Sequence, residues 1–310
     1  MKPNISPYSL CGEIPSYIRH ENLAKIELEF LEWYRLNAPD YDATLPITFE
    51  ILGCDEEIER GKLYEALKLE PTSIVLELGA GTGRDSEKLA RSLNEDGFLV
   101  MQDISADILQ ICYRKFEVLH SNDLIKCGFD FFLSNASEIP YADSSFDRIF
   151  HFGGLNTFGD INKALSEINR VAKEGSIVVI GDEGIAPWLK NSKFGKVLFA
   201  TNTQYNAYPP LDKLPETSCD VNVRWFCSEA FYFISYVVRK DPRNKANFNL
   251  EIPGIRGGSP IKRFDGTLEG ISPDLRDSIY RKASKEGVSR VEFIEKVFSE
   301  YLDRNKPAND

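Results

Sequence analysis

No stretch of the 310-residue chain approaches the roughly 18 consecutive apolar residues that a membrane span requires, so no membrane partner is expected. Cysteine offers no framework. The six residues Cys11, Cys54, Cys112, Cys127, Cys219 and Cys227 are scattered and form no C-x-x-C pair, so neither a zinc nor a thioredoxin-like pattern is present. No metal is expected. Positive charge is in deficit, with 37 Lys and Arg against 48 Asp and Glu and a formal net charge of -11. That balance disfavours a polyanionic partner such as nucleic acid. The opening, MKPNISPYSLCGEIPSY, lacks the unbroken apolar core of a secretion signal. A reduced, cytoplasmic protein is the expectation. Internal repeats and low-complexity tracts are also missing.

What is present is enough apolar material for a large core: 42% hydrophobic residues, with 12% aromatics. Residues 21–37 and 55–68 carry apolar groups at helical spacing. The period then changes. SIVLELG, GFLVMQDI, FDFFLSN, FDRIFHFG and SIVVIGDE read as strands, and DSEKLARSL, SADILQICYRKF and DINKALSEINRVAK as the helices between them. Strands alternating with helices make a mostly parallel sheet covered on both faces. Beyond Pro187 the pattern is irregular, although VNVRWF and AFYFISYVVRK suit an antiparallel hairpin at the sheet edge. The Gly- and Pro-rich EIPGIRGGSP, 251–260, marks a boundary.

The first strand runs into ELGAGTGR, with Gly79, Gly81 and Gly83. A dinucleotide fingerprint needs a third glycine where Arg84 stands, and a phosphate-binding P-loop needs Gly-Lys-Ser/Thr at its end, which is absent. The spacing here lets backbone press on a ligand, and the helix N-terminus behind it offers free N–H groups to an anion. Glu77, one carboxylate in an apolar run, is costly to bury alone and suits an ammonium. A zwitterionic amino-acid tail on a nucleoside meets both demands.

ELGAGTGR resembles the first motif of class I S-adenosylmethionine-dependent methyltransferases with a UbiE-like core. VMQDISADILQICYRK, SNASEIPYADSSFDRIF and EINRVAKEGSIVVIGDE are similar to that family's following stretches, in order, over about residues 60–185. The resemblance implies a Rossmann-like class I methyltransferase fold of the α/β class: a mostly parallel, seven-stranded sheet with helices on both faces. N-terminal helices and a small C-terminal helical appendage would be added to it. The expected division is a helical cover at 1–60, the S-adenosylmethionine-binding domain at 61–250 and a C-terminal segment at 251–310.

The resemblance also implies roles. Glu77, Gly79, Ala80 and Gly81 would hold the methionine end of the S-adenosyl-L-methionine cofactor, and Asp103 both ribose hydroxyls. Ile104 would flank the adenine. Asn135 stands where the family often has an acid for the adenine amino group, and Ala136 offers a backbone N–H. The loop after the fourth strand should face the sulfonium, with His151, Phe152 and Asn156 as candidates. His151 is either a base or a structural histidine. Asp182 and Glu183, at a strand end, orient an amine acceptor, act as base, or simply form a solvated turn. Tyr34, Tyr205 and Tyr208 line the acceptor pocket or belong to the core.

Methyl transfer to N or O of a small molecule or peptide is the expected activity. Residues 264–302 also resemble a ribbon-helix-helix module, with FDGTLEGI as its strand. That strand offers Thr267 but also Asp265 and Glu269, which repel phosphate, so dimerisation is expected ahead of DNA binding. A cofactor-sensing DNA-binding regulator and a related transferase moving another group are the alternatives. A plain helical pair is the alternative for the tail.

Overall fold

Val75 and Leu76 are neighbours in one strand, yet each is fully buried, in hydrophobic clusters on opposite faces of the sheet. That is the signature of a parallel strand covered on both sides. The computed structural model describes residues 3–241, 246–265 and 272–305. Residues 1–243 and 244–310 form two compact units.

The first unit opens with a small hairpin, β1 (Ser9–Cys11) and β2 (Ile14–Ser16), followed by helices α1 (Lys25–Asn37), α2 (Tyr41–Ile51) and α3 (Glu56–Leu67). Asp55 caps α3 by accepting the Ile58 N–H at 3.0 Å. Then strands and helices alternate: β3 (Ile74–Leu78), α4 (Arg84–Ser92), β4 (Phe98–Asp103), α5 (Ala106–Ser121), β5 (Gly128–Leu133), β6 (Phe146–Phe152), α6 (Ile161–Val171) and β7 (Ala172–Glu183). Helix α7 (Lys193–Thr201) precedes an antiparallel hairpin of β8 (Ser218–Phe226) and β9 (Phe231–Val238).

Among the described residues nine strands form one sheet, in the order β1-β2-β5-β4-β3-β6-β7-β9-β8. From β2 to β7 the neighbours run parallel, and β9 and β8 close the edge antiparallel. Leu63, Leu89, Leu109 and Phe116, from α3, α4 and α5, pack on one face, and Leu165 and Ile168 of α6 on the other. The expectation of seven strands is therefore corrected to nine. The extra pair is the N-terminal hairpin, whose three-residue strands are too short to show a period. Helices α2 and α7 were also not read from the sequence; Pro46 inside α2 masks its pattern.

After β3 the chain steps outward through β4 and β5, then returns to lay β6 on the other side of β3. A crevice opens at the carboxyl ends of strands where a parallel sheet reverses direction like this. The glycine turn and the ends of β4, β5 and β6 all meet there.

The second unit contains α8 (Pro260–Asp265), α9 (Pro273–Glu286) and α10 (Arg290–Arg304). Ser272 caps α9 by accepting the Leu275 N–H, and Gly287 ends it at φ 71°. Phe264 and Asp265, the first residues of the expected ribbon strand, end α8 instead. Its remainder, 266–271, including Thr267 and Glu269, lies outside the described residues.

Candidate active site

The turn after β3 holds Gly79, Gly81 and Gly83 at φ 63°, 56° and 80°, the left-handed region that other residues rarely adopt. Space enforces the choice twice. A Cβ at Gly83 would sit 2.5 Å from Cys112 Sγ, and one at Gly79 would sit 3.0 Å from His151 Cε1. The turn therefore lies flat between α5 and the end of β6, with Arg84 opening α4 behind it.

Glu77 is buried under this turn rather than on the cleft wall. Burial, then the nearby Asp85, pushes its carboxyl well above the usual range, against a hydrogen bond from Ser86. Its Oε2 has no hydrogen-bond partner among the described residues. Asp103, ending β4, accepts the Gly81 N–H at 2.9 Å through Oδ2 and the Ser105 N–H at 2.8 Å through Oδ1. Burial raises its pKa despite these bonds. The Ile104 N–H also bonds to this carboxylate, so three backbone donors hold it and one of its four lone-pair directions is left for a ligand.

Gln102 precedes Asp103 and is one of the residues that sequence reasoning missed. Its Oε1 accepts the Gly79 N–H at 3.2 Å and its amide donates to the Ser134 carbonyl, tying the glycine turn to the loop after β5. A buried polar side chain inside an apolar strand was the available signal. In that loop Asn135 donates from Nδ2 to Glu27 Oε1 at 2.9 Å and accepts the Ser137 N–H at 2.9 Å. Ile104, Asn135 and Ala136 all line the cleft.

At the end of β6, His151 is 1% exposed. Its Nδ1 meets the Leu78 carbonyl at 2.7 Å, which places the proton on Nδ1 and leaves Nε2 as an unprotonated acceptor. Nε2 has no partner. Burial lowers the imidazole to about 4, so it is neutral near pH 7. Phe152 also lines the cleft, with the Arg60 guanidinium 5.0 Å from its ring centroid.

The other acceptor-side candidates lie elsewhere. Asp182 and Asn156 meet each other: the Asn156 N–H donates to Asp182 Oδ2 at 2.6 Å, and Asn156 Nδ2 donates to the Glu183 carbonyl at 2.8 Å. None of the three lines the cleft. Asp182 is fully buried, and burial, then Glu183, drives its carboxyl well above the usual range. Tyr205 is a core residue packed edge-on against Phe231. Tyr208 is exposed, with Lys190 Nζ 3.1 Å from its ring centroid, away from the cleft.

Tyr34 does line the cleft, beside Glu27 and Phe30 of α1, Tyr41 and Leu45 of α2 and Arg60 of α3. Burial raises the Tyr34 phenol well above its usual range and Tyr41 to about 12. Arg60 donates to Asp85 Oδ2 at 2.6 Å and to Glu56 Oε1 at 2.7 Å, while the Tyr64 hydroxyl donates to Asp85 Oδ1 at 2.5 Å. Thr82 of the turn donates to Asp42 Oδ1 of α2 at 2.6 Å. These cover residues contact the turn and the start of α4 across 25 to 40 positions of sequence, where no local spacing shows them.

A parallel sheet that reverses at a glycine turn, with an acid ending the next strand, defines a Rossmann-like nucleoside-binding fold. The residues fit an amino-acid nucleoside: a buried carboxyl oxygen under the turn without a partner among the described residues, and beside it an acid whose backbone bonds leave it acceptor capacity. A family model described as "Methyltransferase domain" matches residues 69–225. The chain belongs to this family of class I, S-adenosylmethionine-dependent methyltransferases.

Among curated relatives, the ubiquinone/menaquinone biosynthesis C-methyltransferase UbiE of Xanthomonas campestris pv. campestris is 32% identical over 125 residues, 40% of this chain and 48% of that one. The protein of the same name from Pectobacterium atrosepticum is 32% identical over 134 residues, 43% of this chain and 48% of that one. The chain thus spans about half the length of these curated relatives. Phosphoethanolamine N-methyltransferase 2 of Haemonchus contortus, solved with S-adenosyl-L-methionine, superimposes with a TM-score of 0.50. It is 14% identical, over 71% of this chain and 61% of that one, and shares the fold.

Proposed function

We propose that the protein transfers a methyl group from S-adenosylmethionine to N or O of a small molecule. The observation that carries this reading is a pair of buried polar atoms without partners among the described residues, Glu77 Oε2 and His151 Nε2, on the two strands that flank the switch point. When bound, the cofactor supplies an electrophilic methyl on a sulfonium. Gly79, Ala80 and Gly81 hold its amino-acid tail, with the Glu77 carboxyl beneath their turn drawing its ammonium, Asp103 holds its ribose hydroxyls, and Ile104 and Ala136 its base.

The acceptor fits beside Tyr34, Tyr41 and Phe152. Residues of α1, α2 and α3 on the same wall support a small acceptor over a peptide. The chain's main contribution is alignment, where effective molarity can be worth about 7–11 kcal/mol. His151 Nε2 receives the proton that an acceptor N–H or O–H gives up. Asp182, Glu183 and Asn156 fix the loop that carries this site.

The relatives' names specify a carbon acceptor in one case and an amine in another, so the acceptor atom is the point to test. Methyl-labelled cofactor is supplied with panels of amines, phenols and quinols. Label appearing on an amine or phenol supports the reading; label only on carbon, or cofactor binding with no transfer, contradicts it.

The DNA-binding alternative rested on a strand whose residues 266–271 lie outside the described part. For the C-terminal unit, self-association remains our reading. Its buried apolar side chains among the described residues are Ala283 and Phe293, while Leu275, Phe298, Tyr301 and Leu302 are exposed. Sedimentation velocity tests it, and a monomer at every concentration contradicts it.

A further inference from the structure

The turn between β8 and β9 holds Cys227, Ser228 and Glu229 at φ 48°, 54° and 57°, successive residues in the left-handed region with no glycine among them. Such a run is strained and persists only where its surroundings hold it. Here they do. The Cys227 N–H donates to Glu59 Oε2 of α3 at 2.9 Å, and the Ser228 hydroxyl donates to the Leu52 carbonyl, just past α2, at 2.8 Å. The Glu229 carbonyl accepts the Ala186 N–H at 2.8 Å. Phe49 of α2 stacks on Phe231 of β9, with centroids 5.7 Å apart and ring planes 4° apart.

This contact brings together two cysteines from distant parts of the sequence. Cys54 follows α2, and its Sγ lies 3.4 Å from the Leu52 carbonyl oxygen and 3.7 Å from Ser228 Oγ. Its thiol is also a side-chain partner of the Cys227 thiol. Both cysteines are free; Cys227 is 2% exposed in the core and Cys54 is partly exposed. Elsewhere, Cys112 meets Ser86 and Met101, Cys127 the Ala90 carbonyl and Cys11 the Gln110 amide. A reachable sulfur backed by a second one suits oxidation of the first and its resolution by the other.

We infer that Cys54 and Cys227 form a redox modification site, whose oxidant is a peroxide and whose product is a disulfide between the end of α2 and the β8–β9 turn. With hydrogen peroxide, the O–O bond breaks as the Cys54 sulfur takes one oxygen, leaving a sulfenic acid and one water. The Cys227 sulfur then attacks the Cys54 sulfur. The S–O bond breaks, the S–S bond forms, and a second water leaves. The two thiols are oxidised by two electrons in all, and the peroxide is reduced.

Helix α2 carries Tyr41 and Leu45 of the cleft wall, and its Asp42 accepts the Thr82 hydroxyl of the glycine turn at 2.6 Å. A bond at the end of α2 therefore fastens one wall of the cleft. Neither the bond nor its effect on α2 depends on which cofactor or acceptor the cleft takes.

The test treats the unaltered full chain with hydrogen peroxide and maps its peptides without reduction. The peptides of Cys54 and Cys227 should appear joined and two hydrogens lighter, and dithiothreitol should separate them. Amide hydrogen exchange across Tyr41–Ile51 should slow by about tenfold in the bridged chain, because local opening of α2 is then restrained. Cys54→Ser, given the same peroxide, should show no bridge and no slowing. Cys54 found as sulfinic acid with Cys227 still a thiol overturns the pairing, as do two free thiols under peroxide that oxidises a free cysteine peptide. A bridge that leaves exchange across α2 unchanged overturns its hold on the cleft wall.

Discussion

The His151 imidazole donates from Nδ1 to the Leu78 carbonyl at 2.7 Å, so the proton is fixed on the nitrogen that faces the neighbouring strand. Burial holds the ring at about 4, below the ordinary 6.5. Below about 6.5 the unfolded chain binds a proton that the folded chain refuses. The stability linked to this histidine is therefore fully present above that pH and is lost as pH falls toward 4. The shift corresponds to about 3 kcal/mol. Urea unfolding at pH 7 and at pH 4.5 should show His151→Asn with a smaller loss on acidification than the unaltered chain. An identical loss would mean that the ring is protonated in the fold.

Asp103 holds Gly81 at 2.9 Å and Ser105 at 2.8 Å and retains acceptor capacity toward the cleft. Asp103→Ala should weaken S-adenosylhomocysteine binding by more than about tenfold, as expected for losing hydrogen bonds to a charged group. Calorimetry measures this directly. An unchanged dissociation constant would remove Asp103 from the nucleoside site.

Gly83→Ala combines a φ of 80° with a Cβ 2.5 Å from Cys112 Sγ. We expect destabilisation of about 1–3 kcal/mol in urea unfolding. Adding Cys112→Ala should recover part of it. Equal stability of the single variant and the unaltered chain would mean that the turn relaxes freely.

Arg60 and Asp85 form a largely buried pair at 2.6 Å, with side chains 11% and 10% exposed. Glu56 has a second cation in Arg84 at 2.6 Å, so removal of Arg60 strands Asp85 above all. Arg60→Met should cost about 3 kcal/mol, because breaking a buried pair leaves an uncompensated charge. Arg60→Met with Asp85→Asn should be milder than Arg60→Met alone. Additive losses would argue against direct coupling.

Much of the central fold was legible because both faces of the sheet are buried. Strands such as Ile74–Leu78 and Phe98–Asp103 then appear as apolar runs between helical patterns. The hairpin at Ser9–Ser16 and helix α2 were not, since three-residue strands have no period and Pro46 interrupts the helix. In the site, local motifs marked Gly79, Gly81, Asp103, Ala136 and His151, and these do line one cleft. Glu27 and Asn135 meet across 108 positions, which no spacing rule encodes. Asp182, Glu183 and Asn156 sit near a strand end as such rules suggest, but their polar groups bond to one another instead.

Cofactor binding is the claim on which the rest depends. The purified chain, stripped of cofactor, is titrated in a calorimeter with S-adenosylmethionine, S-adenosylhomocysteine and, for contrast, NAD. The site of Glu77, the glycine turn and Asp103 predicts micromolar binding of the first two and none of NAD. Binding of NAD, or of none of the three, would contradict it.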